Sequence, residues 1–163
     1  MIILGIDPGY ATVGFGVIET ANGKNKAIEY GVILTPKEDS LPKRLAKISE
    51  GFDKLIEKYH PDAVAIEELF FQNNQKTAIL VAEARGAILL TVYGKVKNLY
   101  EYTPLQIKQA MTGYGRADKQ QIQHMVTRYL NLKEIPKPDD AADALAVALT
   151  HAQTNRLAGL FGI

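Results

Sequence analysis

The stretch IILGIDPGYATVGFGVIETANGKNKAIEYGVIL (residues 2–34) decides how the chain begins to fold. Residues 2–7 form a short apolar run, residues 12–19 alternate apolar and polar, and residues 27–34 are rich in β-prone side chains. Pro8-Gly9 and Asn22-Gly23 interrupt these runs. Asn-Gly is the dipeptide favoured by two-residue hairpins, whose central residues both need positive φ. Three antiparallel strands are therefore expected, with Asp7 at the end of the first, just before a turn.

Downstream, residues 41–59 place Leu41, Leu45, Ile48, Phe52, Leu55, Ile56 and Tyr59 at helical spacing on one face. Ser40 is positioned to cap this helix, and Pro42 suits its first turn. Pro61-Asp62 breaks the chain before a buried strand at 63–66. An Ala-, Leu- and Val-rich helix follows at about 77–93, then a fifth strand at 98–102. Thr103-Pro104 opens a helix that ends near Thr112-Gly113, and Asp118 can cap another running to about Leu130. Residues 133–138 read as a linker-like turn before a last helix at 139–151. The order β-β-β-α-β-α-β-α-α-α predicts an α/β fold with a mixed five-stranded sheet flanked by helices, in one domain spanning 1–163.

Bulk composition narrows the function classes. Apolar residues make up 47% and charged residues 23% of the 163, which fits a folded domain with one core. There is no cysteine, which excludes a thiol nucleophile, a thiolate zinc site and disulfides. No uninterrupted apolar run approaches the roughly 20 residues of a bilayer span, and the N-terminus lacks a basic signal-like region, so a cytoplasmic protein without a membrane partner is expected. The net charge of +1 is unevenly spread. Residues 1–69 hold 8 Lys and Arg against 11 Asp and Glu, residues 70–133 hold 9 against 3, and residues 134–163 hold 2 against 4. A basic middle between acidic ends suits a polyanion surface beside a metal site, although a sequence segment need not form one surface patch.

Four carboxylates stand where catalysis is plausible. Asp7 and Glu67 each end a strand, and ligands of open α/β sheets gather outside strand ends. Asp140 and Asp143 are three apart at the start of a helix, hence on one face. Each has a plainer reading: Asp before Pro-Gly is a common turn residue, and acidic residues in a first helical turn answer the helix dipole. Asp143 resists that reading because it interrupts the small apolar run 141–148, and Glu67 directly follows AVAI (63–66). An all-carboxylate set without Cys or a His pair suits Mg²⁺ or Mn²⁺ rather than zinc. Two such ions about 3.5–4 Å apart activate water and stabilise the leaving oxygen in phosphodiester hydrolysis. His60, His124 and His151 stand alone and are not assigned to metal.

The blocks GIDPGYATVGFGVIE (5–19), AIEELFF (65–71), ARGA (84–87), QIKQAMTGYGRADKQQIQHMV (106–126) and DDAADALAVALTH (139–151) resemble, in order, those of the RuvC family of Holliday-junction resolvases. The resemblance implies an RNase H-like fold and a crossover junction endodeoxyribonuclease. It implies Asp7, Glu67, Asp140 and Asp143 as catalytic ligands of two Mg²⁺ ions per subunit, with Mn²⁺ able to substitute. It also implies a symmetric homodimer acting on four-way junction DNA and working with the RuvA–RuvB branch-migration complex. Two doublets, Glu67-Glu68 and Asp139-Asp140, bear on register. The family spacing of three picks Asp140, and position in the AIE block picks Glu67, with Glu68 on the opposite side of an extended chain.

The same resemblance makes Phe70 a candidate wedge at the junction, with Phe71 as its rival, and places Lys108 and Lys119 near the scissile phosphate. Arg116 is a weaker candidate for the same face, and Gln72, Asn73 and Asn74 are potential phosphate or base contacts. Otherwise the lysines are solvated helix charges, and one of two adjacent aromatics is core. The helix at 77–93, with Ala78, Ala82, Ala84, Gly86 and Ala87, is by resemblance the dimer element. The competing function is an ATP-binding protein of the sugar-kinase and actin-like superfamily, which opens with a similar Asp-x-Gly hairpin; that fold needs a second domain to enclose nucleotide. A DNA-binding module without catalysis would break one of the four acidic positions, and a nuclease for RNA–DNA hybrids would not need the 106–126 block.

Overall fold

The computed structural model describes residues 1–70 and 74–155. Strands β1 (Ile2–Asp7), β2 (Thr12–Ala21) and β3 (Lys24–Leu34) form an antiparallel meander, and the β2–β3 turn places Asn22 at φ 52° and Gly23 at φ 76°. These are the positive values that the Asn-Gly dipeptide supplies. Helix α1 (Leu41–Tyr59) follows, then β4 (Ala63–Glu67), α2 (Gln75–Lys95), β5 (Leu99–Tyr102), α3 (Pro104–Thr112), α4 (Lys119–Tyr129) and α5 (Asp139–Thr154). The sheet order is β3-β2-β1-β4-β5, with β4 and β5 parallel to β1, so the sheet is mixed as expected.

Local chemistry sets most boundaries. Thr103 and Asp118 each close a reciprocal capping box, with Gln106 and Gln121, at the starts of α3 and α4. Ser40 does occupy the N-cap of α1, but its side chain makes no cap hydrogen bond, and Pro in the first turn defines the start instead.

The sheet carries a core on each face. Leu4, Ile6, Val64 and Ile66 face α1 and α2, packing with Ile48, Phe52, Ala84, Ile88 and Val92. Ile3, Ile18, Ala65 and Tyr102 face α5, against Leu145, Ala146 and Leu149, and α3 and α4 close that side with Met111 and Val126. Successive residues of one strand thus serve opposite layers, as the pleat requires. Helix α5 lies unusually close to the sheet. A Cβ built on Gly14 of β2 would stand 2.0 Å from the Asp140 carbonyl oxygen, and one on Gly5 of β1 would stand 2.2 Å from that of Ala144. Glycine at these positions removes the side chain that would hold the helix away.

Helix α2 departs from expectation. It has 21 residues, and its most apolar 18-residue window has mean hydropathy 1.4, so it is long and apolar enough to cross a membrane by length and composition, although Glu83 and Arg85 interrupt it. It is apolar around most of its circumference, so periodicity alone does not say which face is inside. Ala84, grouped above with the residues of the dimer element, is 0% exposed and belongs to the α1–α2 core. The outward face carries Ile79, Ala82, Gly86, Leu90 and Tyr93 instead, with Leu90 81% exposed.

Candidate active site

Asp7 and Glu67 end neighbouring parallel strands whose ladder aligns Ile6 with Ile66. The next residue on each strand points to the α5 face, so Asp7 and Glu67 stand side by side on strands whose backbones are about 4.8 Å apart. The start of α5 crosses this point. Asp140 rests its backbone on Gly14, which pairs with Asp7 across the β1–β2 ladder. Asp143, one turn further, lines a cleft of about 290 Å³ together with Glu67, Lys108, Asp118 and Lys119. Three elements remote in sequence thus bring the four expected carboxylates to one end of the sheet.

The electrostatics follow from that crowding. Burial, then the charges of Glu67, Asp143 and Asp140, push the Asp7 carboxyl up to about 8, with Lys119 opposing. Burial and Asp143 push Glu67 up to about 7 against Lys119 and Lys108. Asp143 is raised by burial against its contact with Lys119. Burial would lower the Lys119 ammonium, but Asp143 and Asp139 outweigh it and hold the group above its ordinary value. A cluster so disposed favours cations or protons.

Among the described residues, no three acidic or histidine side chains converge at metal-ligating distance. Like charges spread the carboxylates, and Lys119 Nζ lies 3.2 Å from Asp143 Oδ2 and 3.5 Å from Asp139 Oδ2. In kind, the donor set fits a hard divalent ion, since every candidate ligand is a carboxylate oxygen. The doublets separate clearly. Asp139 turns to Lys119, to Lys137 at 3.6 Å and to the Gln123 amide at 3.1 Å, whereas Asp140 contributes to the field at Asp7.

A second cleft, lined by Asp7, Pro8, Glu67, Glu68, Leu69, Phe70 and Pro104, continues into a third of about 490 Å³ that includes Phe70, Leu105, Lys108 and Gly115. Phe70 is 72% exposed, and Leu105, which lines the same cleft, is exposed too. Lys108 borders both the acidic cleft and the Phe70 cleft. Arg116 is exposed but lines none of these three clefts. Asn74 accepts a hydrogen bond from the Thr77 amide as the N-cap of α2. Phe71, Gln72 and Asn73 lie outside the described residues. His151 is buried, with Nδ1 2.7 Å from the Tyr102 hydroxyl, and takes no part in the site. Sequence reasoning missed Asp139 and Gln123 as partners around Lys119; the doublet itself was the available signal.

A family model described as crossover junction endodeoxyribonuclease RuvC matches residues 3–151. The chain is 56% identical over 157 residues to the protein of that name from Clostridioides difficile, covering 96% of this chain and 93% of that one. It is 53% identical to the Alkaliphilus oremlandii protein over 163 residues, covering 100% and 99%. Its structure is similar to that of Thermus thermophilus RuvC in complex with a Holliday junction substrate, with TM-score 0.94, 35% identity, and 100% and 99% of the chains covered. A yeast mitochondrial Holliday junction resolvase shares the fold at TM-score 0.66 and 18% identity. The five-stranded mixed sheet, the four carboxylates at its end and the match over nearly the whole length agree: the chain belongs to the RuvC family of crossover junction endodeoxyribonucleases, metal-dependent nucleases of RNase H-like fold.

Proposed function

We propose that this chain resolves Holliday junctions in DNA recombination and repair. It does so as a homodimer that nicks two opposing strands, with Asp7, Glu67, Asp140 and Asp143 holding two Mg²⁺ ions per subunit. The observation that supports the reading is the placement of these carboxylates at one end of the sheet, where burial and then mutual repulsion raise Asp7 to about 8 and Glu67 to about 7. Bound divalent ions supply a low-pKa water and offset charge on the scissile phosphate, and Mn²⁺ substitutes because it accepts the same oxygen donors. Asp7 and Glu67 would hold the ions from the sheet, and Asp140 and Asp143 from α5. Lys108 and Lys119 place ammonium charge on the rim where negative charge develops. In the metal-free site Lys119 serves as counterion to Asp143, and with ions held there it would be available as a phosphate contact.

Phe70, with Leu105 in the same cleft, offers an apolar surface on which an unpaired base stacks at the branch point. Arg116, exposed in the α3–α4 loop, contacts the DNA backbone further out. The exposed stripe Ile79–Gly86–Leu90–Tyr93 of α2 provides the isologous dimer contact, which gives one site to each of two equivalent strands. The natural setting is the bacterial cytoplasm, beside the RuvA–RuvB branch-migration complex. The competing nucleotide-binding reading of the first hairpin has no support: the family match is to a nuclease across residues 3–151.

The test is incubation with Mg²⁺ and three labelled DNAs: a four-way junction, a duplex and a single strand. The expected result is paired nicks in the junction alone, lost in Asp7→Asn, Glu67→Gln, Asp140→Asn and Asp143→Asn while junction binding persists. Equal cleavage of the duplex removes structure selectivity, and an active Asp140→Asn beside an inactive Asp139→Asn shifts the register by one.

A further inference from the structure

The motif ARGA (84–87) has a partly buried arginine that the cleavage chemistry does not use. Arg85 projects from α2 toward the opposite face of the sheet from the acidic cleft. Its guanidinium forms an ion pair with Glu101 of β5, the two side chains being 19% and 24% exposed. Glu101 pairs with Ile66 in the β4–β5 register, one residue before Glu67, and shares with Ile66 the face that packs on α2. Glu68 follows Glu67, and its amide donates to the Tyr102 carbonyl at 2.8 Å, which carries the β4–β5 pairing just past the end of β4. The Glu68 side chain is exposed and lines the cleft that also holds Asp7 and Glu67. Two residues on, the backbone delivers Phe70 to the surface.

We infer that Arg85 is a positioning residue for cleavage: its ion pair with Glu101 clamps α2 to β5 beside the exit of β4 and so fixes where Glu67 and Phe70 stand. A partly buried Arg–carboxylate pair suits this role because the planar fork fixes direction as well as distance. Breaking one partner leaves the other half-buried without its counter-charge, so the strand exit rearranges rather than merely loosens. The clamp touches neither DNA nor reacting atoms. It acts through the backbone between Ile66 and Phe70, and it rests on the reading of Glu67 as an active-site ligand.

The experiment measures junction affinity without divalent ions, and the single-turnover cleavage rate with Mg²⁺ at saturating protein. It uses wild type, Arg85→Gln, Glu101→Gln, the double variant, and Arg85→Glu combined with Glu101→Arg. We expect each single variant to cleave about 10- to 100-fold more slowly, the cost of roughly 1 Å of misplacement, with the affinity unchanged. The double variant should be no slower than Arg85→Gln, and the reversed pair should recover much of the rate. Should Arg85→Gln fail to fold, Glu101→Gln decides by the same split between rate and affinity. A wild-type rate in a folded Arg85→Gln or Glu101→Gln protein, or rate and affinity falling in proportion, overturns the clamp. A wild-type protein that does not cleave junctions overturns the functional reading itself, which keeps the two failures distinct.

Discussion

Gly14→Ala isolates the contact that sets the acidic helix on the sheet. The added methyl would lie 2.0 Å from the Asp140 carbonyl oxygen and 2.6 Å from its carbonyl carbon. Contacts below 3.0 Å are essentially unknown for Cβ, so the start of α5 must move by at least about 1 Å, and the obstacle is backbone that cannot rotate aside. Overpacking of this kind costs about 1–3 kcal/mol of stability, which a protein with ~5–15 kcal/mol in hand survives folded. The catalytic effect is larger, because Asp140 and Asp143 ride on the displaced turn while Asp7 and Glu67 stay on the strands. A 1 Å misplacement in an assembled site lowers the rate on the order of 100-fold. The assay is single-turnover junction cleavage at saturating protein, alongside urea denaturation. Gly94→Ala in α2 is the control: its methyl meets nothing within 4 Å, and the helix gains about 0.5–1 kcal/mol. A folded Gly14→Ala protein that cleaves at the wild-type rate would show that the close approach of α5 does not govern the site.

Four further outcomes are expected. Because Asp7 is raised to about 8, its ionisation burdens the metal-free fold increasingly as pH rises from near 4 to 8. Asp7→Asn should therefore be more stable than wild type at pH 7.5 without divalent ions, by an amount that shrinks toward pH 4; chemical denaturation across pH checks the sign. His151, lowered by burial to about 4, is neutral in the fold while the unfolded chain takes up a proton below 6.5. About 3 kcal/mol should be lost as pH falls from 6.5 to 4, and the difference between wild type and His151→Gln isolates that slope. Lys108→Ala and Lys119→Ala should lower the cleavage rate more than junction affinity, and equal losses in gel-shift and rate assays would reduce both lysines to DNA holding. Leu90→Arg should yield folded monomers by sedimentation and fewer paired nicks, whereas Ala84→Arg should unfold the α1–α2 core, because that position has no exposed surface.

Legibility in the sequence tracked how local each signal was. Strand alternation, Asn22-Gly23, and the Thr103 and Asp118 capping boxes are short-range features, and they located every element in the described residues to within a few positions. Asp7 and Glu67 were legible because each interrupts an apolar run, and Asp143 because it stands among alanines. Which face of α2 is buried was not legible, since an all-round apolar helix carries no period to read. The Arg85–Glu101 pair was hidden for a different reason. It depends on the crossover that returns β5 beside β4, and no spacing in the chain reports that juxtaposition. The partners of Lys119 were equally non-local: Asp139 and Asp143 lie at least 20 residues away.

The wedging of α5 onto β1 and β2 also governs when the enzyme can first act. Asp7 is made before its expected partners Asp140 and Asp143, which come more than 130 residues later. At ~5–20 residues per second, several seconds separate the two halves of the candidate site during synthesis. Until α5 has emerged and docked on Gly5 and Gly14, a nascent chain exposes at most half of the carboxylate set. On the proposed reading of that set, the nuclease is inert through translation and becomes competent only at the step that completes its fold.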